Sequence, residues 1–225
     1  MDEQGSTSSP VTVTILSELG RGTTGIVYRA RSNLRDGPVV IKLLYDSPKP
    51  AQADEEVQFE REIRALISLT QSGIVRLIAS GIYRGRPYYL RDFVEGYTLT
   101  ALADAKAVDL RRGSEVLSRV AGAVQFVHDN GFAHRNLSAS NVLIGKRGDV
   151  VLIGFGRVDF LTGSPNLKPG EEGTPVEVDV RGLQDLLRRL AKTWNKPLPP
   201  RLERACEPGG VNTAAAFAEI LSPGV

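Results

Sequence analysis

A glycine-rich segment near the N-terminus has the spacing of a phosphate-binding loop. Gly20, Gly22 and Gly25 follow the pattern G-x-G-x-x-G within residues 19–27. Glycines let a backbone approach phosphate oxygens closely, because they have no Cβ atom. The same pattern also occurs in ordinary hairpins. A dinucleotide-binding loop would lie between a strand and a helix, whereas this segment lies between two predicted strands.

A lysine and a glutamate downstream of the loop are candidates for an ion pair. Lys42 ends an apolar strand, and Glu62 lies on the predicted helix that follows. Taken singly, such a lysine is most often a surface residue with a packed stem. A helix glutamate such as Glu62, or its neighbour Glu60, is most often solvated. The position of Lys42 after the glycine segment favours the ion pair.

Two segments in the second half carry polar side chains at fixed spacing. Residues 132–144 read FAHRNLSASNVLI, and residues 153–156 read IGFG. Asn136 and Asn141 can donate and accept hydrogen bonds, but an amide cannot take up a proton near neutral pH. The segments therefore offer hydrogen-bonding groups and one histidine, His134, but no carboxylate.

The elements that position these groups follow from hydrophobic periodicity. We predict strands at residues 11–15, 26–28, 38–44, 77–83 and 87–94, and one helix with an apolar face of Phe59, Ile63, Leu66 and Ile67. Asp36 and Gly37 are predicted to form the turn before the third strand. The first half of the chain is therefore predicted to consist mainly of strands.

The second half is predicted to be mainly helical. Ser114 is predicted to be the N-cap of a helix that runs to Val127. Short strands are expected at residues 142–144 and 150–153, and further helices at 183–190, 201–206 and 213–221. The order predicts an α+β architecture of two lobes, with a cleft near Glu95 and Gly96.

In this order the segments resemble the motifs of eukaryotic-type protein kinases, most closely those of bacterial Ser/Thr kinases. The matching motifs are the glycine-rich loop, V-A-I-K, the helix glutamate, H-R-D-L-x-x-x-N and D-F-G. The resemblance covers about residues 11–221 and is strongest up to Ile153. It implies a five-stranded N-lobe with one helix at 11–94 and a compact, truncated helical C-lobe at 95–225. The polar, Ser- and Thr-rich residues 1–10 are expected to be a disordered lead-in.

The resemblance also assigns roles to particular residues. If a nucleotide binds, its pocket is expected to consist of Leu19, Gly20, Gly22, Gly25, Val27, Val40, Lys42, Glu62, Arg91, Asn141 and Leu143. A hydrophobic column linking the lobes is expected from His134, Phe155, Leu66 and Leu77. Asp179 is expected to hold the backbone of the catalytic loop.

The residues that carry the family's chemistry are replaced. Asn136 stands where the catalytic-loop aspartate would orient the substrate hydroxyl, and Ser138 stands where a lysine supports the phosphate. Gly154 stands where the D-F-G aspartate would hold Mg²⁺. Asp149 and Asp159 are nearby in sequence, but we expect neither to replace it. We therefore predict no catalytic residues and no metal ligands.

Two substitutions bear on the nucleotide pocket itself. Arg91 occupies the position that normally carries an apolar side chain behind the adenine, and Val40 replaces a smaller alanine. Three placements of Arg91 remain open. In the first, Arg91 pairs with Glu62 and draws that glutamate from Lys42. In the second, Arg91 folds into the pocket and obstructs adenine. In the third, the alignment is shifted by one residue and Arg91 is an ordinary exposed residue.

The activation segment is expected to be shortened. Gly173, Thr174 and Pro175 resemble the family's G-T-P element, yet only three residues separate it from Asp179. No A-P-E motif follows. The resemblance therefore implies the loss of the platform on which a peptide substrate docks.

Composition restricts the classes of partner. The net charge of +2 gives no argument for nucleic acid, and no apolar run approaches the ~20 residues of a membrane helix. A single cysteine, Cys206, excludes an internal disulfide. We expect a cytoplasmic protein that requires no cofactor and binds a protein partner of unknown identity, with no nucleic acid and no membrane segment.

Three functions fit these observations. The first is an inactive pseudokinase that serves as a protein-binding, scaffolding or allosteric module in signalling. The second is a sensor that binds ATP or ADP without metal. The third is a weak kinase or a repurposed phosphotransferase, which would need Mg²⁺ or Mn²⁺ near Asn141.

Overall fold

Strand-forming residues near the N-terminus build one antiparallel sheet in the computed structural model, which describes residues 10–22, 24–46, 51–162, 173–194, 197–207 and 209–222. The strands are β1 (Val13–Arg21), β2 (Gly25–Ser32), β3 (Arg35–Leu44), β4 (Leu77–Tyr83) and β5 (Arg86–Asp92), in the order β1-β2-β3-β5-β4. The expected five-stranded sheet is therefore confirmed. Residues 1–9 of the expected lead-in lie outside the described residues.

The turn before β3 lies earlier than the sequence predicted. The chain turns at Asn33 and Leu34, and Ser32 pairs with Arg35. Asp36 and Gly37 lie within β3, where the register shifts and Gly37 adopts a φ of +84°. The Asp-Gly signal is therefore that of a β-bulge, which also needs a residue tolerant of positive φ.

Helix α1 (Ala51–Ser68) connects β3 to β4 and packs on one face of the sheet. Phe59 and Leu66 are buried, and the Phe59 ring lies 5.4 Å from that of Tyr89. Ile67 was placed on the same face, and this was wrong, because its side chain is 60% exposed. A residue directly after Leu66 is rotated about 100° away from the buried stripe.

The second lobe is mainly helical, as expected. Its elements are β6 (Gly96–Thr98), α2 (Leu99–Asp104), α3 (Leu110–Asp129), β7 (Phe132–Ala133), β8 (Val142–Gly145), β9 (Val150–Leu152), β10 (Asp159–Phe160), α4 (Pro175–Trp194), α5 (Pro200–Cys206) and α6 (Ala214–Leu221). A 3₁₀ turn at Ala139–Asn141 precedes β8. One continuous hydrophobic core extends from Leu44 in β3 to Leu221 in α6 and joins the two lobes.

The N-cap of α3 is Asp109, not Ser114. The Asp109 carboxylate accepts a hydrogen bond of 2.7 Å from the Arg112 amide. Gly113 lies within the helix, and a Cβ atom there would lie 2.4 Å from the Trp194 ring. The glycine therefore serves close packing of α3 against α4 and does not interrupt the helix.

Candidate functional site

A cavity of about 570 Å³ opens between the sheet and the helical lobe. The predicted residues that line it are Leu19, Gly20, Gly22, Val27, Val40, Lys42, Glu62, Arg91, Asn136, Asn141, Leu143 and Gly154. Gly96, near which the cleft was expected, also lines it. The lining residues that were not predicted are Arg21, Tyr89, Phe93, Val94, Thr98, Ser140, Ile153 and Gly156. Tyr89 could have been predicted, because alternate residues of a strand share a face and Tyr89 lies two residues before Arg91 on β5.

Two of the predicted positions lie away from the cavity lining. A Cβ atom on Gly25 would lie 2.3 Å from the Leu43 carbonyl oxygen, so this glycine permits the close approach of β2 to β3. Ser138 exchanges a 2.9 Å hydrogen bond with the hydroxyl of Ser140. Neither residue lies among those that line the cavity in the described part of the chain.

Lys42 and Glu62 form a buried ion pair at the inner wall. The Lys42 ammonium lies 2.5 Å from one Glu62 oxygen, and the Tyr89 hydroxyl donates a 2.8 Å hydrogen bond to the other. Lys42 and Glu62 are only 4% and 2% exposed. Burial and the Glu62 charge raise the pKa of Tyr89, so its hydroxyl keeps its proton and donates. Both oxygens of the carboxylate are therefore satisfied.

Arg91 lies in the cavity wall beside this pair. It pairs with Val40 across β5 and β3, and its Nη1 donates a hydrogen bond of 3.3 Å to the Asp92 carbonyl. The expectation that Arg91 draws Glu62 away from Lys42 is wrong, because Lys42 holds that carboxylate directly. The slip that would expose Arg91 is also wrong, because its side chain lines the cavity. Burial lowers the pKa of Arg91, and Tyr89 and Glu62 oppose this effect.

The glycine-rich loop folds back on itself above Lys42. The Gly22 amide donates a 2.8 Å hydrogen bond to the Gly25 carbonyl, and the Tyr45 hydroxyl donates to the Gly22 carbonyl at 3.0 Å. A Cβ atom on Gly22 would lie 3.6 Å from Cε of Lys42. The loop backbone therefore lies close to the lysine. Thr23, within the glycine pattern, lies outside the described residues.

The buried carboxylate of Asp179 binds the backbone at the start of the loop at residues 134–141. The Asp179 oxygens each accept a 2.7 Å hydrogen bond, from the backbone amides of His134 and Arg135. Nε2 of His128 lies 2.9 Å from the same carboxylate. Arg135 adopts a φ of +56°, a strained conformation that these contacts stabilise. The expected role of Asp179 is confirmed.

His134 is neutral and bridges this loop to the segment around Phe155. Nδ1 accepts a 3.2 Å hydrogen bond from the Asn136 amide, so Nε2 carries the proton and donates to the Ile153 carbonyl at 2.9 Å. Burial lowers the pKa of His134, which favours the neutral ring. Its ring packs edge-on against Phe155, with the centroids 4.6 Å apart.

Asn136, Asn141 and Gly154 form one hydrogen-bonded cluster. The Asn141 side-chain amide donates a 2.7 Å hydrogen bond to the Asn136 carbonyl, and the Asn136 side-chain amide donates a 3.1 Å bond to the Gly154 carbonyl. Gly154 has a φ of +85°, and a Cβ atom there would lie 2.4 Å from Cγ of Asn141. The Asn141 side chain therefore occupies the space that a side chain at position 154 would need.

A family model for the protein kinase domain matches residues 13–176. The chain belongs to the protein kinase domain family. The match includes the glycine-rich loop, Lys42, Glu62 and the segments around Asn136 and Gly154. The family resemblance inferred from the motifs is therefore confirmed.

Similar proteins include bacterial Ser/Thr kinases. The chain is 30% identical over 147 residues to the probable serine/threonine-protein kinase PknB of Lactococcus lactis, and the match covers 63% of this chain and 23% of that protein. It is 30% identical over 148 residues to the DNA damage-responsive serine/threonine-protein kinase RqkA of Deinococcus radiodurans, covering 64% and 22%. The chain therefore spans under a quarter of the length of these relatives.

The fold also resembles a solved kinase domain. The Mycobacterium tuberculosis PknI kinase domain superposes with a TM-score of 0.68 at 23% identity, covering 93% of this chain and 94% of that one. The two-lobed kinase fold is thus shared over nearly the whole chain. None of the helices in the described residues is both long and apolar enough to cross a bilayer.

The cavity of this kinase-family domain does not fit Mg²⁺. Glu62 is the one carboxylate among the described residues that line it, and both its oxygens are engaged. The described residues contain no cluster of three or more His, Cys, Asp or Glu side chains able to hold a metal. Asn141 offers a neutral amide, whereas Mg²⁺ is normally bound through carboxylates and phosphates.

Asp159 has a structural position in this kinase-family domain. Its carboxylate lies 2.8 Å from Nη1 of Arg135 and 3.2 Å from Nη1 of Arg61 on α1. Asp159 does not lie among the described residues that line the cavity, and neither does Asp149 in the β8–β9 turn. Asp159 instead joins α1 to the loop that carries Asn136.

The G-T-P element leads directly into α4. The Thr174 amide donates a 2.7 Å hydrogen bond to a Glu177 side-chain oxygen, and the Glu177 amide donates a 3.3 Å bond to the Thr174 hydroxyl. This reciprocal pair is a capping box, which begins the helix at Pro175. Asp179 therefore follows the cap within the same helix, and residues 173–179 contain no separate peptide-docking loop. Residues 163–172 lie outside the described part.

Proposed function

We propose that this kinase-family domain is catalytically inactive and acts as a protein-binding, scaffolding or allosteric module with weak or no nucleotide binding. The cluster of Asn136, Asn141 and Gly154 carries the proposal, because amides and backbone occupy the positions that need two carboxylates. Each replaced carboxylate removes transition-state stabilisation worth roughly 10²- to 10³-fold in rate. The named relatives are kinases, so inactivity would distinguish this chain from them.

The contacts that order the kinase fold are preserved, which supports a role in which the surface of the domain binds a partner. The Lys42–Glu62 pair orders the first lobe, and the Asp179 contacts order the loop of the second. Asp159 links the two lobes through its ion pair with Arg61. These contacts are expected to hold the surface rigid, and a rigid surface loses less conformational entropy when a partner binds. The lobes therefore remain assembled while the groups for phosphoryl transfer are replaced.

Nucleotide titration tests the proposal. Thermal unfolding is measured with ATP and with ADP at millimolar concentration, each with Mg²⁺ and with EDTA. A ligand that binds the native state raises the midpoint according to how far its concentration exceeds the Kd. We expect no shift, or a small shift that is equal with and without Mg²⁺. A shift that requires Mg²⁺ would contradict the proposal.

A metal-independent ATP or ADP sensor is the second candidate. The Lys42–Glu62 pair is intact, and the cavity has a volume of about 570 Å³. Both features favour nucleotide binding, because neither needs a metal ion to form. Arg91 in the wall and the close approach of Gly22 to Lys42 oppose it. A midpoint shift with ATP in EDTA that disappears in a Lys42→Met variant would support the sensor over the empty pocket.

A further inference from the structure

Arg91 places a positive charge in the cavity wall. No carboxylate in the described part of the chain forms an ion pair with it. Its Nη1 donates a hydrogen bond of 3.3 Å to the Asp92 backbone carbonyl. Tyr89 lies two residues away on the same face of β5, and its hydroxyl is neutral because burial and the Glu62 charge raise its pKa. A guanidinium in a protein stays charged. Arg91 is partly buried. A partly buried charge that lacks a counter-charge is costly, and an anion in the cavity would offset that cost.

The two nearest carboxylates are engaged with other cations. Glu62 binds Lys42, and together they are neutral. Asp92 follows Arg91 on the strand, so its side chain points to the opposite face of the sheet. There its carboxylate binds Arg35 and, at 3.4 Å, Arg76. The inner part of the cavity therefore keeps a net charge of one, located at Arg91.

The walls beside Arg91 are apolar. Val27 and Val40 project from the sheet above the cavity, and Leu143 and Ile153 line it from the second lobe. A volume of about 570 Å³ is within the range of small-molecule sites. Arg21 also lines the cavity, but its side chain is exposed and pairs with Glu18 at 3.1 Å. One unpaired cation beside apolar walls matches a ligand with one negative charge and an apolar body.

We propose that the cavity binds a small aromatic carboxylate, with Arg91 holding its carboxylate group and Val40 and Leu143 packing on its ring. The planar fork of a guanidinium matches the two oxygens of a carboxylate. A nucleotide polyphosphate is a poorer match, since it brings several negative charges. Glu62 is the one carboxylate among the described lining residues and is bound to Lys42, so none is free to hold a metal that would balance those charges. This ligand class goes beyond the proposed function and does not depend on whether the domain transfers phosphate.

The test compares 2-naphthoate with its neutral analogue 2-naphthamide, which has the same ring system. Binding is measured by isothermal titration to the whole chain and to Arg91→Met, Arg91→Gln and Arg64→Met variants. Arg64 is the matched control, because its side chain is 68% exposed on α1. Circular dichroism verifies that each variant is folded.

We expect 2-naphthoate to bind the wild type at least about tenfold more tightly than 2-naphthamide, as a charge-assisted hydrogen-bonded pair requires. Arg91→Met and Arg91→Gln should remove this preference, and Arg64→Met should keep it. Equal binding of the two probes to the wild type would overturn the proposal, as would no binding of 2-naphthoate at millimolar concentration. This wild-type comparison decides the matter even if both Arg91 variants fail to fold.

Discussion

A Cβ atom on Gly154 would lie 2.4 Å from Cγ of Asn141. Asn141 cannot move freely, because its side-chain amide is bonded to the Asn136 carbonyl. The missing aspartate at position 154 is therefore more than an absent ligand, since the neighbouring amide occupies its space. The positive φ of Gly154 adds a conformational cost for any side chain.

Restoring the aspartate should consequently destabilise the domain. We expect Gly154→Asp to lower the free energy of unfolding by about 2–4 kcal/mol, from the positive φ together with displacement of Asn141. Gly85→Asp is the control, because Gly85 has a φ of +77° with nothing within 4 Å of a Cβ atom. That variant should lose only about 1 kcal/mol. Urea unfolding measures both, and equal losses would show that the contact with Asn141 is harmless.

The buried ion pair gives a second prediction. Glu62→Gln leaves Lys42 without a counter-charge at 4% exposure, so we expect a loss of about 3–5 kcal/mol in unfolding free energy. Glu60→Gln is the control, because Glu60 lies on the same helix and forms an exposed pair with Arg64 at 3.7 Å. It should change stability by less than about 0.5 kcal/mol. A Glu62→Gln protein as stable as Glu60→Gln would disprove the buried pair.

The Asp159 bridge gives a third prediction. Asp159→Asn removes the charge between Arg61 and Arg135, and we expect a loss of about 2–4 kcal/mol with faster hydrogen exchange of α1 amides. Asp104→Asn is the control, because its pair with Arg189 is mostly exposed. The control should lose less than about 1 kcal/mol and leave α1 protected. Unchanged exchange in α1 after Asp159→Asn would show that the bridge does not hold the helix.

The neutral state of His134 gives a pH prediction. Burial lowers its pKa below the ordinary value of 6.5, while Asp179 and Glu62 raise it and His128 lowers it further. The unfolded chain therefore binds a proton near pH 6 that the folded chain excludes, so stability falls as the pH falls below about 6.5. We expect a loss of about 1 kcal/mol from this residue between pH 7.5 and 5.5.

A His134→Asn variant isolates that contribution. Its unfolding free energy should depend less steeply on pH than that of the wild type over the same interval, whatever its absolute stability. His128→Asn is the matched control, as the chain has two histidines. If the wild type and His134→Asn lose stability in parallel, His134 is not the group that titrates.

Local patterns in the sequence were sufficient for much of the fold. Residues 77–83, followed by the turn at Arg84 and Gly85, were predicted to form a strand, and β4 has these bounds. The motif order predicted the cavity that contains Lys42 and Glu62. These features depend on neighbouring residues or on fixed motif spacing. They could therefore be derived without knowing the tertiary contacts.

Other features depend on contacts that no local pattern contains. Ser114 was predicted as the N-cap of α3, but the helix begins earlier, at Leu110, and includes Gly113, against which Trp194 packs from another helix. Asp159 could not be assigned its role, because Arg135 is 24 residues away in sequence and Arg61 lies in the other lobe. The position of Arg91 required the strand register that pairs it with Val40.

The most direct test of inactivity is phosphate transfer from ATP labelled at the γ-phosphate. The wild type and a Lys42→Ala variant, each confirmed to be folded, are incubated with Mg²⁺ or Mn²⁺ and a general protein substrate, and incorporated label is followed over time. We predict that wild-type incorporation, including autophosphorylation, equals that of Lys42→Ala. Reproducible incorporation by the wild type that the variant lacks would contradict the account and make this domain an active kinase.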